Sequence, residues 1–133
     1  MRFLNLNKAA FSGFLLHLVV GCAAVSVAPV TPEQAVKARA QARWDALVAG
    51  QFDKAFEFIT PSGRSTLPFD VFRGRLSGTS WRKASVTSAT CEPEVCDVTV
   101  TLDVDVLPNL PQQIPISEKW LLVDGKWWFV YRG

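Results

Sequence analysis

The chain has 133 residues with 14 basic and 12 acidic side chains, enough length for one domain and no charge excess that would suggest nucleic acid. Arg2 and Lys8 account for the surplus of two bases, so the remainder is balanced. With one histidine, His17, and three cysteines, the chain shows no metal-ligand spacing.

Residues 1–21 read as an export signal. Arg2 and Lys8 form its positive start, and residues 11–20 (FSGFLLHLVV) its apolar core. Val19-Val20-Gly21-Cys22 resembles the lipobox of bacterial lipoproteins, in which a small residue precedes a cysteine that is lipidated before cleavage. Val19 and Val20 stand where Leu and Ala or Ser are usual. The resemblance implies a lipid on Cys22 and a protein held at the cell envelope. Ala23 is not the aspartate that retains many such proteins at the inner membrane, so the expected location is the outer membrane, facing the periplasm. A soluble form cut after Ala24 and an uncleaved anchor are the competing readings. The anchor would need about 20 predominantly apolar residues, and this stretch is interrupted by Gly21 and Ser26.

Lipidation of Cys22 would leave Cys91 and Cys96, separated by EPEV, as a pair. In an exported chain with no histidine left, a disulfide is the expected state.

Residues 22–30 are small and aperiodic and suit a tether; a folded domain is expected over 31–133. Thr31, Pro32, Glu33 and Gln34 form a helix start with a capping box. Val36, Ala40, Trp44, Leu47 and Val48 give its apolar stripe, and Gly50 its end. A second short helix follows over Phe52, Ala55, Phe56 and Ile59, closed by Thr60-Pro61. PSGRST reads as a turn-rich link, and Phe69, Phe72 and Leu76 mark a third helix.

From Trp81 the period becomes two. RKASVTSATC is a modest strand, whereas Val98, Val100, Leu102, Val104 and Val106 alternate cleanly with Asp97, Thr99, Thr101, Asp103 and Asp105. Direct pairing of Cys91 with Cys96 would put Ala89 and Thr87, not Val86, beside the valine face. LPNLPQQIP, with three prolines, must be a loop or a sheet edge. The chain closes in a hairpin about Asp124-Gly125, a pair suited to a type I′ turn. There Leu122 should face Trp127, Trp120 should face Phe129, and Glu118 should face Tyr131. Their side is expected against the first helix, at Trp44 and Val48.

The expected class is α+β, with three N-terminal helices packed on a curved four-stranded antiparallel sheet. The runs ARWDAL (42–47), GQFDKAF (50–56), CDVTV (96–100), EKWLL (118–122) and DGKWW (124–128) together resemble the nuclear-transport-factor-2-like superfamily, specifically its small exported lipoproteins. The resemblance spans about residues 32–132. It implies a bent sheet wrapped round a long helix, with a conical cavity that some members use for small ligands.

No catalytic set of that superfamily can be carried over. Its ketosteroid isomerases use a carboxylate base with Tyr and protonated Asp donors; this chain has one tyrosine, Tyr131, and Asp97, Asp103 and Asp105 alternate as a solvated face. The favoured function is a non-catalytic binding or interaction module without cofactor, attached to the membrane through Cys22. Its partner would be an envelope protein, docked through the Pro-rich segment or a sheet face. The alternative is an apolar or anionic small ligand in the cone, and an isomerase-like or cyclase-like enzyme ranks below both. Trp44, Phe56, Phe72, Arg73, Trp120 and Trp128 are the candidate pocket or contact residues, against the plainer reading that the aromatics are core. Arg64, Arg73 and Arg75 are candidates for a pocket mouth, or are solvated helix ends.

Overall fold

A computed structural model describes residues 26–133. The export segment and Cys22 lie outside the described residues. Four helices, α1 (Pro32–Val48), α2 (Phe52–Phe56), α3 (Pro61–Thr66) and α4 (Phe69–Leu76), precede four strands, β1 (Trp81–Cys91), β2 (Val95–Leu107), β3 (Leu110–Val123) and β4 (Lys126–Phe129). The strands form one antiparallel sheet in the order β1-β2-β3-β4, confirming the α+β class.

The start of α1 is the capping box expected of Thr31 and Gln34, with both reciprocal bonds formed. It ends in a Schellman motif: Gly50 has φ 72°, Gly50 N–H donates to Leu47 and Gln51 N–H to Ala46. The expected count of three helices is corrected by α3. Thr60-Pro61 stops α2, but the same pair starts a new helix, because the Thr60 hydroxyl accepts from Gly63 N–H and proline suits the first helical position. Gly63 serves close packing there, since a Cβ on it would lie 2.8 Å from Thr60 Oγ1.

A bulge resolves the register of β1. Cys91 pairs with Cys96 and Ala89 with Val98, but a shift between Val86 and Ser88 then sets Val86 opposite Val100 and Ala84 opposite Leu102. One extra residue, Thr87, therefore returns Val86 to the valine face. The Cys91–Cys96 disulfide closes this hairpin at its turn.

The segment expected as loop or edge is largely strand. Pro108 and Asn109 (φ 63°) make the turn, and β3 runs through Pro111 and Pro115. Lys119 C=O accepts from Val130 N–H on the β4 side, whereas Leu122 N–H donates to Glu94 on the β2 side. Backbone direction alternates, so Pro111 and Pro115 turn their missing donors toward the sheet's open edge. They can do so because β4 pairs only with residues 120–123. The outer end of this β2–β3 hairpin runs beyond the helices, which is why Val106 is 51% exposed although Val98 and Val100 are fully buried.

Two other edges are also covered. Residues 58–60 lie along β4, with Phe129 N–H donating to Phe58 C=O and Thr60 N–H to Phe129 C=O. On β1, the Gln41 side chain of α1 acts as a substitute strand: it donates to Ala84 C=O at 3.0 Å and accepts from Val86 N–H at 2.9 Å.

The terminal hairpin has the expected pairs Leu122–Trp127 and Trp120–Phe129, Leu121 lies opposite Trp128, and both turn residues have positive φ. Trp120, Trp127 and Phe129 are buried. The expected seating on Val48 is corrected. Helix α1 lies chiefly along β1, so Val48 sits beside Ala84, and Trp44 stacks edge-on to Trp81 at 5.3 Å. From α1, Arg39 Nε donates to the Trp127 carbonyl at 2.7 Å.

Candidate functional site

The buried stripe of α1 includes a charge. Arg43 lies seven residues after Val36 and one before Trp44, on the same face, and is only 4% exposed. On β3, Glu118 shares the inward register with Trp120 and is 6% exposed. The two meet: Arg43 Nη1 donates to Glu118 Oε1 at 2.7 Å. The indoles of Trp44 and Trp120 also donate to this carboxylate, at 2.8 Å to Oε1 and 3.1 Å to Oε2. Glu118 thus receives three donors, and the Arg43 guanidinium lies 3.6 Å from the centre of the Phe129 ring.

Burial pushes the Arg43 guanidinium below its ordinary pKa, and the charge of Glu118 and its hydrogen bond counteract this. The guanidinium is not saturated, since its Nε is buried without a hydrogen-bond partner. A cleft of about 340 Å³ opens beside the pair, between β3 and the chain after β4. Ile116, Ser117, Phe129, Val130 and Arg132 contribute to its walls. Lys119 and Asp97, at its rim, pair with each other at 2.8 Å. A second groove, of about 430 Å³, lies between α1 and β1 and is bordered by Gln41, Val48, Arg82 and Ala84. Neither Arg43 nor Glu118 borders it.

Of the sequence candidates, Trp44 belongs to the carboxylate network and borders the cleft. Trp120 binds the same carboxylate but is wholly buried. Phe72 is also wholly buried, packed with the half-buried Phe56 at 5.2 Å and with Tyr131 at 5.9 Å. Arg73 is exposed, 3.9 Å from Asp70 and near the Phe69 ring. Trp128 is half-buried on the other side of the hairpin, where Lys126, Arg64 and Arg39 approach its ring at 5.0, 5.6 and 5.7 Å. Arg75 binds the Tyr131 hydroxyl. Arg64, Arg73 and Arg75 are therefore separate from the cleft, whose bases are Arg43, Lys119 and Arg132.

Asp97 and Asp105 each pair with a base, Lys119 and Arg82, across neighbouring strands. Among the described residues no three His, Cys, Asp or Glu side chains come together as a metal site. Sequence reading missed Arg43 and Glu118. The available signal was a base on the apolar stripe of a helix and an acid on the inward register of a strand.

No family model and no curated protein matches this chain. Solved structures do. A SEC-C motif containing protein from Rhodopseudomonas palustris matches with TM-score 0.58 at 18% identity, over 77% of each chain. A second, from Psychrobacter arcticus, matches with TM-score 0.60 at 16% identity, over 73% of this chain and 60% of that one. A protein described as an NTF2-like transpeptidase from Campylobacter jejuni matches with TM-score 0.59 at 12% identity, over 73% of this chain and 98% of that one. At these identities the likeness is one of fold alone, an α+β fold that the chain shares with an NTF2-like protein.

Proposed function

We propose that this protein is a lipid-anchored cell-envelope module, held at the membrane through Cys22 and acting by docking a partner protein without catalysis. The observation that carries this reading is the outer end of the β2–β3 hairpin, where Val106, Leu107, Leu110 and Ile114 are 40–61% exposed in one short ribbon. The large aromatics of the interior, Trp44, Phe72 and Trp120, are by contrast used as core.

The direction of α1 adds to this. Gln41 meets Val86, and Trp44 meets Trp81 further back along β1, so the helix runs antiparallel to that strand. Its 17 residues span about 25 Å. The helix begins next to Thr31, and the apolar ribbon lies past its opposite end. A partner with an apolar groove fits this ribbon. Strand addition does not, because Pro111 and Pro115 remove donors from the adjoining edge.

The test has two arms. Cys22→Ser should move the protein out of the membrane fraction or leave it as uncleaved precursor; normal processing and retention would refute the anchor. A photo-crosslinking side chain at position 107 should give a discrete adduct in cells that is lost in Leu110→Asp. The same probe at Thr87, on the exposed bulge, should give none. Equal adducts at both positions would refute docking through the hairpin.

A further inference from the structure

We infer that the cleft beside the Arg43–Glu118 pair is a binding site for a small organic carboxylate. The site does not depend on the membrane anchor, and its donors and acceptors are out of balance. A guanidinium carries five N–H donors, and a carboxylate accepts through two oxygens. Glu118 takes donors from Arg43, Trp44 and Trp120, and so is well supplied. Arg43 gives it Nη1; Nε is sealed without a partner, and Nη2, which is not sealed from solvent, makes no hydrogen bond either. Buried polar groups are nearly always paired, so the site lacks an acceptor rather than a donor.

The walls specify what that acceptor would belong to. Arg132 borders the same cleft, is exposed, and makes no ion pair among the described residues. The other charges are matched, Lys119 with Asp97 and Glu118 with Arg43, leaving Arg132 as the single uncompensated base. That suits one negative charge better than the two of a phosphate monoester. Ile116, Phe129 and Val130 offer apolar surface to the body of the ligand. A volume of about 340 Å³ is at the small end for ligand sites, which limits the occupant to a compact acid. The planar fork of a guanidinium matches a planar carboxylate.

Arg43 is part of the core, so replacing it would test folding as much as binding. The experiment therefore uses the indole N–H signals of Trp44 and Trp120 in the full chain, because both donate to Glu118 and report on its partner Arg43. Benzoate is the probe, with benzyl alcohol as its neutral counterpart and inorganic phosphate as the compact anion. Benzoate should shift these two indole signals saturably and leave that of Trp128 in place, while neither control matches it. Arg132→Gln, at an exposed position, should weaken benzoate by about tenfold, the worth of one charge-assisted bond. Absence of a shift at both indoles across the solubility range of benzoate overturns the inference. An equal response to benzyl alcohol or phosphate, or an unchanged affinity in Arg132→Gln, overturns it as well.

Discussion

Arg43 and Glu118, 75 residues apart in sequence, form an ion pair at 2.7 Å with side chains 5% and 4% exposed. It joins α1 to β3 where neighbouring contacts are otherwise apolar or aromatic. Taking two charges out of water is unfavourable, and their attraction offsets this only when other hydrogen bonds complete the site. The two indoles on Glu118 do so on the carboxylate side, while the guanidinium is covered by the Phe129 ring and keeps a buried Nε without a partner.

Removing one member should therefore do more harm than removing both. Glu118→Leu strands a buried cation and should lower stability by about 3–5 kcal/mol. Arg43→Met should lose a similar amount by stranding the carboxylate. The double variant should lose less than either single one, and so far less than their sum. Urea unfolding of all three closes the cycle, with the slope checked for constancy. Additive losses would mean that the pair is not coupled.

Much of the fold was legible because local chemistry and tertiary structure agree. Thr31 to Gln34 is a complete helix start, Gly50 takes the one backbone conformation that ends α1, and Asp124-Gly125 sets the register of the terminal hairpin. What stayed hidden depended on long-range geometry. The bulge at Thr87 follows from fitting β1 simultaneously to the disulfide and to the valine face of β2. Thr60-Pro61 is equally a stop and a start, and only the tight seat of Gly63 against Thr60 and Ile59 decides for α3. The cleft was less legible than the fold, because its floor is a charge pair joining two distant elements. Period alone places Arg43 and Glu118 inward, but it does not say that they meet.

The two neighbouring tryptophans of β4 should separate core from surface. Trp127 is 5% exposed on the face shared with Trp120 and Phe129. Its replacement by alanine should cost about 3–5 kcal/mol through lost burial and a cavity. Trp128 is half-buried among Lys126, Arg64 and Arg39, and its indole reaches only Val123 C=O at 3.3 Å. Trp128→Ala should cost appreciably less, because solvent and the flexible arms of three bases can fill part of its place. Urea unfolding of both variants decides, and equal large losses would make both rings core.

Pro111 and Pro115 offer a test of how the open edge is protected. The edge of β3 beyond the reach of β4 presents residues 111, 113, 115 and 117 outward, and two of these four have no N–H to offer. All four are exposed, so replacing the prolines disturbs no buried packing. Pro111→Thr with Pro115→Thr would restore the missing donors and add β-branched side chains suited to a strand. The ladder between β2 and β3 uses the opposite side of the backbone, so the fold should persist with nearly unchanged unfolding in urea. What should change is association. The double variant should form dimers or larger species as its concentration rises, through edge-to-edge pairing, while the parent under the same conditions should not. Sedimentation velocity over a concentration series measures this directly. A double variant as monodisperse as its parent would show that the prolines do not guard the edge, and that protection comes from the twist of the exposed hairpin or from its side chains.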